Sequence, residues 1–544
     1  MEKDGTKLYN GIMLPEIWPP KYKEELLEKP LPVPYLENPP DEIIINVGRQ
    51  LLVDDFLIQQ TDLKRVFHNA DIVGDGPVFE PKTDLEMNDG YCPVACPFND
   101  GVFYDEKDHL FKMWYHAGWF DGTAYAESED GIHWRRLSEL EAGREDRIIP
   151  LEPGVMRDGA GAWIDHDAKD PSERYKMFVY YRRHDEKMKY FHESNGIHPY
   201  SEGGILYKSA NGVDWQLVST TGICGDNTTF FYNPFRKKWV FSIRTSLNLV
   251  DGWERTRGYY ECDDFFSEAG WKQEEVRSWG RTDIFDEPDP VLGYPPQLYN
   301  LDAVGYESLM LGAYSVFLGP PNDVCEKTHR PKIIDMKLAF SRDGFHWHRP
   351  DYNPFIPSSR VEAQWDYGYI HPNSGICLVV GDKLYFYFSA WSGISPKFGM
   401  HMYAGGSMGL ATLRRDGFAS MEDQGKGGYL VTRKLRFNGK YLFVNADAAG
   451  GKLEAEMLDE NNNILAPFSR ENCVPVIKDG VTQMITWNGA ENLSNLTDRP
   501  VRIKFYLQNS KFYSFWISPS RTGASLGYVA GGGPNFKGGI DNEV

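Results

Sequence analysis

The sequence predicts an all-β protein in which a five-bladed β-propeller is followed by a β-sandwich. Three observations predict it. A short turn motif recurs five times, a pair of apolar strands precedes most of its copies, and the last quarter of the chain alternates apolar and polar residues. Many aromatic residues with 53 Gly and 34 Pro also favour short strands joined by tight turns over helices.

The first segment, residues 1–46, is expected to be an extended arm lying on the body of the protein. Residues 14–40 contain eight prolines, each of which removes a hydrogen-bond donor and restricts φ. Residues 1–10 are charged and contain no apolar run typical of a secretory signal, so the sequence leaves the cellular compartment open.

Residues 47–421 are predicted to form the propeller. The motif Ser-x-Asp/Asn-Gly-x-x-Trp occurs at 128–134, 209–215 and 341–347, with weaker copies near Asp264 and Asp416. The turns fall at positions 130, 211, 264, 343 and 416, intervals of 81, 53, 79 and 73 residues. Asp-Gly between apolar strands indicates a hairpin, and repeats of about four strands are typical of propeller blades. We expect these turns to be structural.

Residues 424–518 are predicted to form the sandwich, because alternating segments such as 441–445 and 501–506 are separated by frequent turn signals. Residues 519–544 are rich in glycine and are expected to be a mobile tail unless they dock on a neighbour.

The composition and the motifs limit the classes of function that the protein can have. A net charge of −20 repels nucleic acid, and no apolar run is long enough to span a membrane. No zinc-protease, P-loop or dinucleotide motif occurs. We therefore expect no cofactor, although a structural Ca²⁺ in the propeller channel is compatible with the sequence.

Polar residues at the starts of the inner strands should surround one mouth of the central funnel. In an up-and-down blade, the start of strand one and the end of strand two share a face, opposite the Asp-Gly turns. The predicted funnel residues are Asp100, Asp158, Asp226, His371, His116, Arg182, His184, Arg244 and Trp391. Separated carboxylates beside aromatic rings suit glycoside hydrolysis, which needs one protonated and one ionised carboxyl group.

The strand pairs, the turns and the segment 86–90 (Glu-Met-Asn-Asp-Gly) resemble the five-bladed propeller glycosidases, including the invertase-like family 32 and the arabinan-degrading family 43. The resemblance implies Asp89 as nucleophile, with Asp100 as its competitor, and Asp158 as the residue that stabilises the transition state. The family's acid is a glutamate in blade three, where this chain has Asp226. Glu287 and Glu307 are the alternatives for that role.

The sequence thus predicts an exo-acting glycoside hydrolase that removes a terminal sugar from an oligosaccharide. Two alternatives stay open. One is a carbohydrate-binding propeller without catalysis. The other is a phosphorylase, in which Arg157, Arg182, Arg183 and Arg244 hold phosphate beside one acid. A homo-oligomer formed through the sandwich or the tails is also compatible with the sequence.

Overall fold

The fold is described from a computed structural model, which covers residues 5–22, 29–151, 154–183, 203–249, 252–529 and 531–542. Strands dominate it, and the helices are short. The α-helices are Pro34–Glu37, Asp84–Met87, Leu137–Leu140 and Asn322–Thr328. The 3-10 turns are Asn88–Gly90, Pro171–Glu173, Gln273–Glu275, Arg470–Asn472 and Ser494–Leu496. The predicted all-β class is confirmed.

Five antiparallel sheets follow one another along the chain, and each overlaps one of the blades predicted from the repeats. Blade 1 contains Ala95–Asp105, Leu110–Ala117, Gly122–Ser128 and Arg135–Arg136. Blade 2 contains Val155–Ile164, Tyr175–Arg183, Gly203–Ser209 and Gln216–Ile223. Blade 3 contains Thr229–Asn233, Lys238–Leu249, Gly252–Cys262 and Arg277–Gly280.

Blades 4 and 5 each recruit a strand from elsewhere in the chain. Blade 4 contains Gln297–Glu307, Leu309–Gly319, Ile333–Ser341 and the distant Tyr528–Val529. Blade 5 contains Gly368–His371, Leu378–Val380, Lys383–Trp391, Gly406–Arg414 and the early Asp71–Ile72.

The Asp-Gly turns join neighbouring blades. Within one turn, Ser128 Oγ accepts from the Gly131 amide at 2.9 Å. The Trp114 indole of blade 1 donates to the Gly212 carbonyl in the turn of blade 2, at 2.7 Å. Tyr387 of blade 5 donates to the Gly131 carbonyl in the turn of blade 1, at 2.8 Å, which links the last blade to the first. The turns are therefore structural elements.

Two further sheets form the sandwich. The larger contains Gln50–Leu51, Lys64–Phe67, Ala419–Glu422, Tyr441–Asp447, Asp479–Met484 and Lys511–Ser518. The smaller contains Ile58–Thr61, Gly428–Thr432, Lys452–Leu458 and Arg502–Gln508. A continuous apolar core, including Leu430, Phe505 and Phe515, lies between them. Short ladders pair Ile43–Ile44 with Leu435–Arg436, Ile394–Ser395 with Gly399–Met400, and Cys473–Val474 with Thr486–Trp487.

The structure corrects three expected boundaries. The segment 50–67, assigned to the propeller, supplies strands to the sandwich, as does Ala419–Glu422. The segment expected to be a mobile tail pairs Tyr528–Val529 with the first strand of blade 4. Strand pairing between distant segments satisfies backbone groups that local sequence cannot assign. The proline-rich arm does contact the body: Tyr9 stacks on Phe235 at 4.2 Å.

Candidate active site

A cavity of about 310 Å³ opens on the face opposite the Asp-Gly turns. Its lining residues are Trp119, Phe120, Asp158, Arg182, Asp226, Asn227, Arg244, Arg255, Tyr299, Asn322, Lys332, Tyr369 and Tyr403. All five blades contribute to it. Larger clefts of about 850 and 880 Å³ lie elsewhere, beside the sandwich and under the N-terminal arm. Of these three, only the funnel cavity contains a carboxyl group with a raised pKa.

Two carboxylates meet at one guanidinium in this cavity. Arg182 donates from Nε to Asp158 Oδ2 and from Nη2 to Asp226 Oδ2, the latter at 2.6 Å. Arg244 Nη1 lies 2.9 Å from the other oxygen of Asp226. The two acids come from neighbouring blades, so the propeller ring brings them together.

A β-bulge explains how Asp158 reaches the cavity. The pairing register of its strand shifts between Arg157 and Ala160, and such a bulge changes the direction of a side chain. Arg157 Nη1 donates to the Asp158 carbonyl at 2.7 Å and holds the bulge in place. Asp226 lies in the loop just before the first strand of blade 3.

The environment of Asp158 favours its protonated form. Burial raises its pKa and the negative charge of Asp226 raises it further, while Arg182 opposes both, and the result is a pKa of about 6. The Asp158 side chain is 5% exposed, whereas that of Asp226 is 21% exposed. The two carboxyl groups therefore differ in their surroundings, as acid and base catalysis require.

Five predicted site residues form a layer beneath the cavity and do not line it. They are Asp100, His116, Arg157, His371 and Trp391, all fully buried. Arg157 donates to Asp100, and burial raises the Asp100 pKa. Burial lowers the pKa of His371 to about 3 and holds that of His116 well below its usual value. Both imidazoles are therefore neutral, and this layer positions the residues above it.

Three other predicted residues do not line the cavity. Asp89 is exposed in the turn Asn88–Gly90, because buried Glu86 binds Arg136 at 2.8 Å and holds this loop against blade 1. Glu287 is exposed in the loop between blades 3 and 4 and does not line the cavity. Neither the expected nucleophile nor this expected acid therefore lines the cavity.

Glu307 is also corrected. It lies at the turn between the first two strands of blade 4, on the face opposite the cavity. There it accepts from Arg415 at 2.8 Å and from the Arg49 amide at 3.0 Å, fully buried. Glu307 thus belongs to a structural ion cluster. His184 lies outside the described residues.

Sequence reasoning missed the aromatic and basic side of the cavity. Lys332 Nζ donates to the Tyr299 hydroxyl at 3.3 Å, and that hydroxyl lies 2.7 Å from the hydroxyl of Tyr369. Trp119 and Tyr403 stack face to face at 4.3 Å. Tyr299 and Tyr369 lie in the first strands of blades 4 and 5. Trp119, Lys332 and Tyr403 lie outside the strands, where their positions depend on neighbouring blades.

Aromatic rings continue from the cavity to the surface. His401 lies 5.9 Å from Tyr403, Phe398 lies 6.2 Å from His401, and Tyr91 lies 5.2 Å from Phe398. Phe398 is 58% exposed and Tyr91 is 40% exposed. We call these four residues the aromatic track. Exposed rings arranged in this way can stack on sugar rings.

A hydrogen-bonded set of amides closes the funnel below. Asn99 donates to Asn227 and accepts from Asn300, both at 3.0 Å, and this links blades 1, 3 and 4. Among the described residues, no group of three or more His, Cys, Asp or Glu side chains is placed to hold a metal ion. The described part of the chain likewise contains no helix long and apolar enough to cross a membrane.

Neither a family model nor a curated protein matches the sequence. Among solved structures, an N-acetylgalactosamine deacetylase from F. plautii aligns with a TM-score of 0.44 and 11% identity, over 64% of this chain and 96% of that one. An exo-β-1,3-galactanase variant from Phanerochaete chrysosporium aligns with a TM-score of 0.33 and 9% identity, over 83% of this chain and 99% of that one. A fructofuranosidase variant from Schwanniomyces occidentalis aligns with a TM-score of 0.34 and 10% identity, over 82% of this chain and 98% of that one. At these scores, the argument for function rests on the site itself.

Proposed function

We propose that the protein is an exo-acting glycoside hydrolase that removes a terminal sugar from an oligosaccharide. The observation that carries this proposal is the pair Asp158 and Asp226, which share one guanidinium in a single cavity yet have different surroundings. Glycoside hydrolysis needs such a pair, with one carboxyl protonated and the other ionised.

Asp158 is the candidate general acid. With a pKa of about 6, it retains a proton in weakly acidic solution and can transfer it to the leaving glycosidic oxygen. This differs from the role implied by the family resemblance, in which Asp158 stabilises the transition state. The difference follows from its burial beside Asp226.

Asp226 is the candidate nucleophile. Arg182 and Arg244 both stabilise its negative charge. Asp158 and Asp226 bind neighbouring nitrogens of Arg182, which brings the carboxyl groups close together, whereas inverting enzymes keep theirs about 6.5 Å or more apart to admit a water molecule. This closeness favours a retaining mechanism.

The shape of the site supports exo action. The amide set around Asn99 and the buried layer beneath close the cavity at its base, so a chain cannot thread through. The aromatic track leads away from the open side and can carry the remaining sugars. A phosphorylase is less favoured because Arg182 and Arg244, two of the arginines expected to hold phosphate, are bound to carboxylates.

A panel of plant and microbial oligosaccharides, with and without phosphate, tests the proposal. Released sugar is measured by chromatography for the wild-type protein and for Asp158→Asn and Asp226→Asn. The matched control is Asp130→Asn, which changes an exposed carboxylate in a turn on the opposite face. We expect release of one monosaccharide without phosphate, lost in both site variants and kept in the control.

Other results would replace the proposal. Turnover that requires phosphate would identify a phosphorylase, and sugar binding without turnover would identify a binding protein. Equal activity in all variants would remove the pair from the mechanism. The anomer first formed, followed by proton NMR, tests retention separately.

A further inference from the structure

The charge of the cavity has the opposite sign to that of the protein. The chain carries a net charge of −20, yet the cavity is lined by four basic residues and two acidic ones. Arg182 and Arg244 are bound to the two aspartates. The ammonium group of Lys332 instead lies among tyrosine rings.

Lys332 differs from the other buried lysines. Four lysines in the described residues are buried, and Lys112, Lys176 and Lys337 each have an aspartate oxygen within 2.8–3.1 Å. Lys332 is 3% exposed, and the described residues place no carboxylate oxygen within 4.0 Å of it. A buried charge without a counter-ion is costly, so the site is incomplete as it stands.

Three tyrosines surround the Lys332 ammonium group. The ring centroids of Tyr299, Tyr369 and Tyr403 lie 5.2, 5.1 and 5.5 Å from Nζ. Although burial opposes the charge, the Tyr299 and Tyr403 hydroxyls raise the Lys332 pKa, so the amine stays charged. Ring faces compensate only part of the lost hydration. Since one of the Tyr299 and Tyr369 hydroxyls donates to the other, the second hydroxyl can donate to an oxyanion placed beside the ammonium group.

We propose that the Lys332 end of the cavity binds an anionic group carried by the sugar, such as a uronate carboxylate or a sulfate. This inference deepens the proposed function by naming the substrate class. Arg255, which donates to the Gln297 side chain at 2.5 Å, lines the same end and adds positive charge. A charged hydrogen bond to an ammonium group is roughly twice as strong as a neutral one, so the anion determines specificity.

Calorimetric titration of the full chain tests this proposal. The probes are D-glucuronate and D-galacturonate, a sulfated monosaccharide, their neutral counterparts D-glucose and D-galactose, and inorganic phosphate. We expect at least one sugar-borne anion to bind tenfold or more tightly than its neutral counterpart, with affinity falling as salt rises. Lys332→Met should remove this preference.

Lys176→Met is the matched control, because Lys176 is also buried against aromatic rings but is paired with Asp165. The control should lose thermal stability and keep anion selectivity. Lys332→Met should lose selectivity without a lower melting temperature, since it removes an unpaired buried charge. If Lys332→Met does not fold, the anion selectivity of Lys332→Gln is compared with that of the wild-type protein to test the inference.

Two outcomes would overturn the inference. Equal affinity for charged and neutral sugars would exclude an anion site, and phosphate binding without any preference among sugars would identify free phosphate as the anion. Turnover separates this inference from the proposed function. Hydrolysis of neutral glycans without anion selectivity would leave the proposed function intact, whereas selective anion binding without hydrolysis of any glycan would leave the anion site intact.

Discussion

Replacing Asp158 with asparagine should abolish activity and stabilise the fold at the same time. The Asp158 pKa rises from 3.8 to about 6 on folding. Since one pKa unit is worth about 1.4 kcal/mol, ionised Asp158 costs the folded state about 3 kcal/mol at neutral pH. Asparagine keeps the shape and can still accept from Arg182, but it does not ionise.

The sign of the effect follows from linkage. A carboxyl group whose pKa is raised in the folded state contributes stability below pH 4, and this stability is lost as pH rises through about 6. The free energy of unfolding of Asp158→Asn should therefore exceed that of the wild-type protein by up to about 3 kcal/mol at pH 7. The free energies of unfolding of the variant and the wild-type protein should converge near pH 4.

Urea denaturation at pH 4, 5, 6 and 7, followed by tryptophan fluorescence, measures this difference. Turnover should fall by about 10² or more, because a general acid contributes that much. Asp105→Asn is the control, for which the opposite change in the free energy of unfolding is expected. Although burial opposes ionisation there, Lys112 and Arg174 lower the Asp105 pKa, so that variant should be less stable. A destabilised Asp158→Asn at pH 7, or one with full activity, would refute the reasoning.

Three further predictions concern the same site and its surroundings. The wild-type kcat/KM should fall as pH rises through about 6. In any residual activity of Asp226→Asn, kcat/KM should begin to fall at a lower pH, because a charge that raises the Asp158 pKa is removed. Glu307→Gln should leave kcat/KM unchanged, since Glu307 binds Arg415 on the opposite face; a large loss of activity would return it to the site. Phe398→Ala should raise KM several-fold for longer oligosaccharides and leave the KM of the shortest substrate unchanged, because the ring lies on the aromatic track outside the cavity. Equal effects on long and short substrates would contradict a role of the aromatic track in substrate binding.

The parts of the site that the sequence predicted are those that depend on strand order. Asp158, Asp226, Arg182 and Arg244 were expected at the funnel from counting along the inner strands to the start of strand one and the end of strand two, and the structure brings them to one cavity. The same counting placed Asp100 there, but a register shift between Cys96 and Gly101 accompanies its burial against Arg157. Counting along a strand does not reveal a bulge.

The parts that the sequence did not predict depend on contacts between distant segments. Asp89 was chosen from a motif, yet Glu86 in the same segment binds blade 1 and turns that loop away. Lys332 lies just before the strand Ile333–Ser341. Only the ring of blades brings it beside Tyr369 and Tyr403.

Turn chemistry and strand alternation are local properties, so the chain itself was sufficient to predict the all-β class, the order of the strands and the face that carries the acids. The electrostatic character of the site depends on burial and on charges contributed by different blades. The raised pKa of Asp158 comes from its burial and from Asp226 of the next blade, and the unpaired charge of Lys332 arises because the described residues place no carboxylate oxygen within 4.0 Å of its ammonium group. These properties were decided by packing, because desolvation and charge–charge interaction act through space and not along the chain.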